Sequence, residues 1–341
     1  MARALTFGEI MLRLATPGHE RIIQATSFEA SYAGGEANVA VSLAAFGHEA
    51  AFVTVLPKNS LGDAAAAWLR YYGVDTSAIL RTDDGRLGVY FLESGAAQRA
   101  STVLYDRARS AIAVTPAVAY DWKKLLAGRD AFHSTGITPA LSNACAETAR
   151  QALTTAKKLG LMTSFDLNYR SKLWSRRKAR ATVGPLLKQV DLVIGNEEDA
   201  ENVLGIAAEK TDVRTGQVDR AAYERVARAI REEFGPPVVA ITLRESESAS
   251  VNHWSGCLLA GEEFYLSRRY TIQVVDRVGA GDAFCGGLIA ALLDKLPPQD
   301  ALEFAVAASC LKHSIPGDFN KVTKSEVLKL CRGDASGRVV R

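Results

Sequence analysis

Residues Val275–Leu293 read VDRVGAGDAFCGGLIAALL. A β-rich run, Tyr270 to Val275, leads into Gly279-Ala280-Gly281-Asp282, and from Ala283 the pattern turns helical. Glycines at the mouth of a helix let the backbone approach a ligand closely, and the free N–H groups of the first turn point at whatever sits there. Those groups and the helix dipole both favour negative charge, which makes the turn a candidate phosphate site. Asp282 has two compatible readings. A carboxylate at a helix start is ordinarily an N-cap; beside an anion pocket it is also placed to accept the proton of an alcohol that attacks a phosphoryl group. A lone GxGD string does not choose between them.

Upstream, from about Arg129, strand-like runs alternate with amphipathic helical stretches. Asp130–Gly136, Leu161–Leu167, Asp191–Gly195 and Val238–Leu243 read as strands; Ala144–Leu159, Arg177–Gln189 and Arg220–Phe234 read as helices. The alternation predicts βαβ units and a parallel sheet covered on both faces. The first third differs. Arg21–Ala33 and Leu87–Arg107 are rich in β-formers and turn residues, with a helix Glu36–Phe46 between them whose Val39, Leu43 and Phe46 share one face. A small β-sheet inserted there would serve as a lid that keeps water from an activated phosphoryl group.

The 341 residues are 48% hydrophobic and 23% charged, the composition of a soluble globular chain. A net charge of +3 from 41 basic and 38 acidic side chains gives no field to attract nucleic acid or an anionic bilayer, so small-molecule partners are expected. Neither a secretory h-region nor a membrane-spanning apolar stretch is present. Five scattered cysteines without a CxxC pair indicate no disulfide framework and no zinc site, which fits a reducing cytoplasm. The polar tail, 332–341, is expected to fray.

With GAGDAF in this setting, the chain resembles the PfkB or ribokinase-like family of carbohydrate kinases. One signature is Gly34-Gly35-Glu36-Ala37-Asn38-Val39-Ala40; the other is Asp276-Arg277-Val278-Gly279-Ala280-Gly281-Asp282-Ala283-Phe284. Two signatures in correct order, about 240 residues apart, are far more specific than either alone. Within the family, Val103–Arg107 with Ser110-Ala111, Phe165–Arg170 and Pro316–Phe319 look like 2-keto-3-deoxygluconate kinase. The resemblance implies a single α/β catalytic domain over 1–331, with a central, mostly parallel sheet flanked by helices and lid strands at about 12–33 and 87–109. It also implies a homo-oligomer, most simply a dimer formed through the lid.

Tyr105 and Arg107, two apart on a strand, share a face and can reach under the lid. Arg170 follows the apparent end of a strand, where ligands of open α/β sheets bind. Two converging arginines suit the carboxylate of a sugar acid, whereas either one alone reads as readily as a surface partner of Asp106 or Asp166. The resemblance adds Gly34, Gly35, Asn38, Tyr90 and Asp318 to the substrate contacts. It assigns Asn168, Asn196, Thr242, Arg244, His313, Gly279 and Gly281 to the nucleotide, and Gly279, Ala280 and Gly281 to stabilising the transferred phosphoryl group. Asn196-Glu197-Glu198-Asp199 matches the family's NxxE segment, which implies hydrated Mg²⁺ near Asp199; an acid-rich helix start reads the same residues equally well.

One stretch departs from the pattern. Where many members carry a TLGxxG turn, this chain has Thr242-Leu243-Arg244-Glu245-Ser246-Glu247, without either glycine. Arg244 there reads either as a phosphate contact or as a partner of Glu247. The reaction implied is transfer of the γ-phosphoryl group of ATP to the 6-hydroxyl of 2-keto-3-deoxygluconate, with Asp282 as base. The alternatives are a kinase of a neutral sugar such as fructose, and a non-catalytic sugar-binding regulator.

Overall fold

The first three strand-like runs of the middle region are each followed by a helix long enough to carry the chain back over the sheet, which is the condition for parallel pairing. The computed structural model describes residues 1–207 and 220–334. Six strands, in the order Val238–Ser246, Leu192–Asn196, Met162–Asp166, Ala131–Thr135, Arg3–Phe7 and Glu49–Val53, pair in parallel. Val251–Ala260 joins the first of these antiparallel, and Glu263–Leu266 and Tyr270–Gln273 pair antiparallel with it in turn. This is the expected mostly parallel sheet flanked by helices.

Successive residues point to opposite faces of a strand, and here both faces are buried. Ala4, Ile194 and Ala240 enter the apolar core on one side, whereas Leu5, Val193 and Val239 enter the core on the other. The helix Ala280–Leu293 lies in the first of these cores, packed against Gly35–Ala45 and Pro298–Lys312. Its residues 283–291 are all buried, which is why this stretch shows little amphipathic pattern.

A second sheet runs Glu29–Ala33, Met11–Ala15, Gly88–Glu93, Thr102–Asp106. Met11–Ala15 begins within a residue of the expected 12, but of the stretch Arg21–Ala33 only Glu29–Ala33 is strand, because the residues before it turn: the N–H groups of Gln24 and Ala25 both reach the Arg21 carbonyl. Among the described residues no helix is long and apolar enough to cross a membrane, and all five cysteines are free. Of the tail expected from residue 332, the first three residues donate N–H bonds back to the last helix, Lys324–Cys331; 335–341 lie outside the described residues.

The two sheets are joined through Arg13, in the middle of strand Met11–Ala15. Its guanidinium, 5% exposed, bonds the Asp276 carboxylate at 2.6 Å and also bonds Asp318. Tyr90, the register partner of Arg13 on the next strand, donates its hydroxyl to Asp318 at 2.8 Å. Asp276 accepts further bonds from the N–H groups of Val278 and Gly317, both at 3.0 Å. Burial disfavours the Arg13 charge, but the two carboxylates outweigh it and raise its pKa above the ordinary value. Removing one partner from such a buried cluster leaves charge uncompensated, at a cost of about 3–5 kcal/mol. Urea unfolding of Arg13→Met should show a loss of that order, partly recovered when Asp318→Asn is added. Unchanged stability of Arg13→Met would contradict this role.

Candidate active site

Carboxyl ends of parallel strands are where open α/β sheets bind ligands. Here those ends, the glycine turn and the small sheet enclose a cleft of about 550 Å³. Gly279 caps the helix with φ +82°, and a Cβ on it would lie 2.0 Å from the Asp318 carbonyl oxygen, so only glycine fits. Gly34 is required for a different reason: a Cβ there would lie 1.9 Å from the Glu9 carbonyl oxygen. Gly35 borders open cleft opposite Asp282.

Asp282 is the third residue of the helix and makes no capping bond. Its carboxylate instead accepts a hydrogen bond of 2.5 Å from the Asn38 side chain. Burial pushes this carboxyl up to about 7; the Asn38 bond and Arg170 favour the anion, while Asp318 and Glu36 oppose it. Among the described residues, the N–H groups of Gly279, Gly281 and Asp282 meet no protein acceptor. The amide of Ala280 is committed to the Arg277 carbonyl at 3.3 Å, and Ala280 is fully buried. Among the described residues, the amides of this turn left without an acceptor are therefore those of Gly279, Gly281 and Asp282, without Ala280.

At the other end of the cleft, Arg107 pairs with Glu9, through Nε at 2.8 Å and through Nη2, and its guanidinium lies 5.3 Å from the centre of the Tyr105 ring. Asp106 is taken by Arg86 instead. Oε1 of Glu9 is buried without a donor. Arg170 bonds its own neighbour's carbonyl, Tyr169, at 2.9 Å, and among the described residues has no carboxylate within ion-pair distance. Tyr90, Tyr105, Arg107, Arg170 and Asp318 all line the cleft, but both Asp318 oxygens are already held by Arg13 and Tyr90.

Asn168 sits in the left-handed region, φ +38°, and bonds Asp166 at 3.2 Å. Burial holds the Asp166 and Asp199 carboxyls above their usual range, and for Asp166 the Asp199 and Asp282 charges add to the effect. Asn196 and Asp199 form a capping box, and Asp199 also accepts the Tyr169 N–H at 3.0 Å. Both oxygens of Asp199 are thus engaged by backbone. Among the described residues exposed Glu198, which lines the cleft, has no bonded partner and is an acid that could hold the waters of a metal ion. Among the described residues no group of three or more His, Cys, Asp or Glu side chains could ligate a metal directly.

Thr242 and Arg244 line the cleft; His313 does not. The His313 ring is wholly buried, donates to the Ser309 carbonyl at 2.7 Å and packs 5.2 Å from the Trp254 ring. Burial lowers its pKa to about 3 and keeps it neutral. It supports Trp254, which does line the cleft. Sequence reasoning missed Glu9, Arg13, Trp254 and the cleft-facing role of Arg277. A charge between apolar neighbours in Met11–Ala15 was the available signal for Arg13.

The pfkB family carbohydrate kinase model matches residues 1–323. The 2-dehydro-3-deoxygalactonokinase of Haloferax volcanii is 36% identical, over 98% of each chain. The 2-dehydro-3-deoxygluconokinase of Thermoproteus tenax is 29% identical, over 93% of this chain and 90% of that one. The crystal structure of Thermotoga maritima 2-dehydro-3-deoxygluconokinase superposes with a TM-score of 0.94 at 47% identity, covering 98% of this chain and 99% of that one. A whole-length family match, on a fold whose cleft joins an anion turn to a carboxylate, makes this chain a member of the pfkB family of carbohydrate kinases.

Proposed function

We propose that this kinase transfers the γ-phosphoryl group of ATP to the 6-hydroxyl of a 2-keto-3-deoxy sugar acid, 2-keto-3-deoxygluconate foremost. The observation that carries the reading is the position of Asp282: a carboxylate that makes no capping bond, next to the amides of Gly279 and Gly281 that among the described residues have no acceptor, in the cleft that Arg107 and Arg170 also line. The relatives named above act, by their names, on the gluco and galacto forms of such acids.

Asp282 accepts the hydroxyl proton as the oxygen attacks, a contribution worth about 10²–10⁴ in rate. Asn38 fixes the carboxylate's orientation. The amides of Gly279, Gly281 and Asp282 stabilise charge on the moving phosphoryl oxygens without reorganising. Mg²⁺, brought with the nucleotide and held through water near Glu198, would neutralise phosphate charge. Arg170 takes the sugar acid's carboxylate, with Arg107 beside it, and the buried Glu9 Oε1 accepts a sugar hydroxyl. The small sheet acts as the lid over this half, and pairing of two such lids would cover exposed Phe28 and Leu104. One observation favours a neutral sugar: Glu9 already balances the Arg107 charge.

Asp282→Asn should lower kcat by about a thousandfold, within the range for a general base. Because burial raises this carboxyl to about 7, its ionised form opposes folding above that pH; the same variant should therefore melt higher than wild type at pH 8. Near-normal turnover would overturn the assignment. For the wild type, log(kcat/KM) should climb with unit slope up to about pH 7 and then level, and Asp282→Asn should lack that limb. Arg170→Gln and Arg107→Gln should each raise KM for the sugar acid by about tenfold or more, the worth of a hydrogen bond to a charged group. If fructose were the better substrate and indifferent to both changes, the neutral-sugar reading would replace this one.

A further inference from the structure

Where a glycine turn is usual at the nucleotide end, strand Val238–Ser246 runs on. Arg244, Glu245 and Ser246 pair in register with Trp254, His253 and Asn252. Their backbone groups belong to a sheet ladder and are not gathered into a phosphate-binding turn. Side-chain alternation then separates the charges. Glu245 is bonded by Arg269 at 2.9 and 3.0 Å, and Glu247 is bonded by His253. Arg244 points the other way, its guanidinium 5.1 Å from the centre of the Trp254 ring that lies across the strand.

Arg277 lines the same cleft, one residue after the Asp276 that Arg13 holds. It donates to the Asn252 side chain at 3.2 Å, and its Nε is buried without an acceptor. Among the described residues neither arginine has a carboxylate within 4 Å. They are close enough that the Arg277 charge, after desolvation, holds Arg244 down to about 10, against the pull of Glu197 and Glu198. Two like charges in the cleft that Gly279 and Gly281 also line leave a site that an anion completes.

We propose that Arg244 and Arg277 form a two-guanidinium clamp on the polyphosphate chain of the phosphoryl donor, taking over the phosphate contacts of the absent glycine turn. The ligand class is a nucleoside di- or triphosphate, gripped by charge-assisted forks. Trp254, backed by His313, is the platform that aims Arg244. The clamp rests on the nucleotide-dependent reading given above; it adds Arg277 to that reading and gives Arg244 its partner and its support on Trp254.

Calorimetric titration of the wild type, Arg244→Gln and Arg277→Gln with ADP and with adenosine tests it. Each substitution should weaken ADP at least tenfold and leave adenosine within twofold, and Arg244→Lys should recover only part of the loss. Unchanged ADP affinity in both Gln variants would overturn the clamp. So would an equal loss of adenosine, which marks a collapsed pocket. Sugar-acid turnover is scored separately: its absence beside the expected calorimetric pattern would sink the acceptor assignment and leave the clamp standing.

Discussion

A guanidinium sealed between two carboxylates fastens the small sheet to the glycine turn. Arg13 comes from one sheet; Asp276 opens the turn, and Asp318 lies beside it. None of the three is more than 8% exposed, so each depends on the others for the charge that water would otherwise solvate. Asp318 is the centre of this arrangement. Its side chain holds Arg13 and Tyr90, while its backbone carbonyl sits where any side chain on Gly279 would have to go. The turn is thereby set before a ligand arrives, and fixed donors are what make an anion site effective during reaction.

On that frame one cleft gathers charge from several elements. Arg107 comes from the end of a small-sheet strand and Arg170 follows a main-sheet strand; Arg244 lies on the strand that pairs antiparallel with Val251–Ala260, and Arg277 precedes the turn; Asp282 lines the same cleft. Three carboxyls at its base, Asp166, Asp199 and Asp282, are all held above their usual range by burial. Such a cluster opposes folding and is retained in sites that need a proton acceptor near neutral pH. Asn38 connects the two family signatures physically: it comes from the first and holds the aspartate of the second. Glu36, whose carboxylate accepts three bonds from Thr135 and Thr138 while its backbone carbonyl accepts one from Thr6, anchors the first signature to a strand end.

Much of this was legible in the sequence because the determinants are local. The helix to Phe234 ends where its period predicts, and the strands ending at Asp166 and Asn196 differ from the reading by a residue or so. The glycine turn was visible because Gly279 answers a backbone demand. What stayed hidden depends on distance along the chain. Arg107 meets Glu9 across 98 residues and Arg13 meets Asp318 across 305, separations at which no spacing rule operates. His313 followed a family expectation into the nucleotide wall, yet helix geometry turns its ring inward onto Trp254. Asp282 as a helix cap was a sound local reading, displaced because the helix begins three residues earlier than its apolar pattern, at Ala280.

The central claim is spatial: donor and acceptor meet at Asp282. A crystal structure with ADP, a planar phosphoryl mimic such as aluminium fluoride, Mg²⁺ and the sugar acid tests it most directly. The account predicts the acceptor oxygen within hydrogen-bonding reach of the Asp282 carboxylate, in line with the mimic, whose equatorial ligands face the amides of Gly279 and Gly281. An acceptor oxygen bound beyond that reach in the closed complex, with another group at its proton, would contradict it.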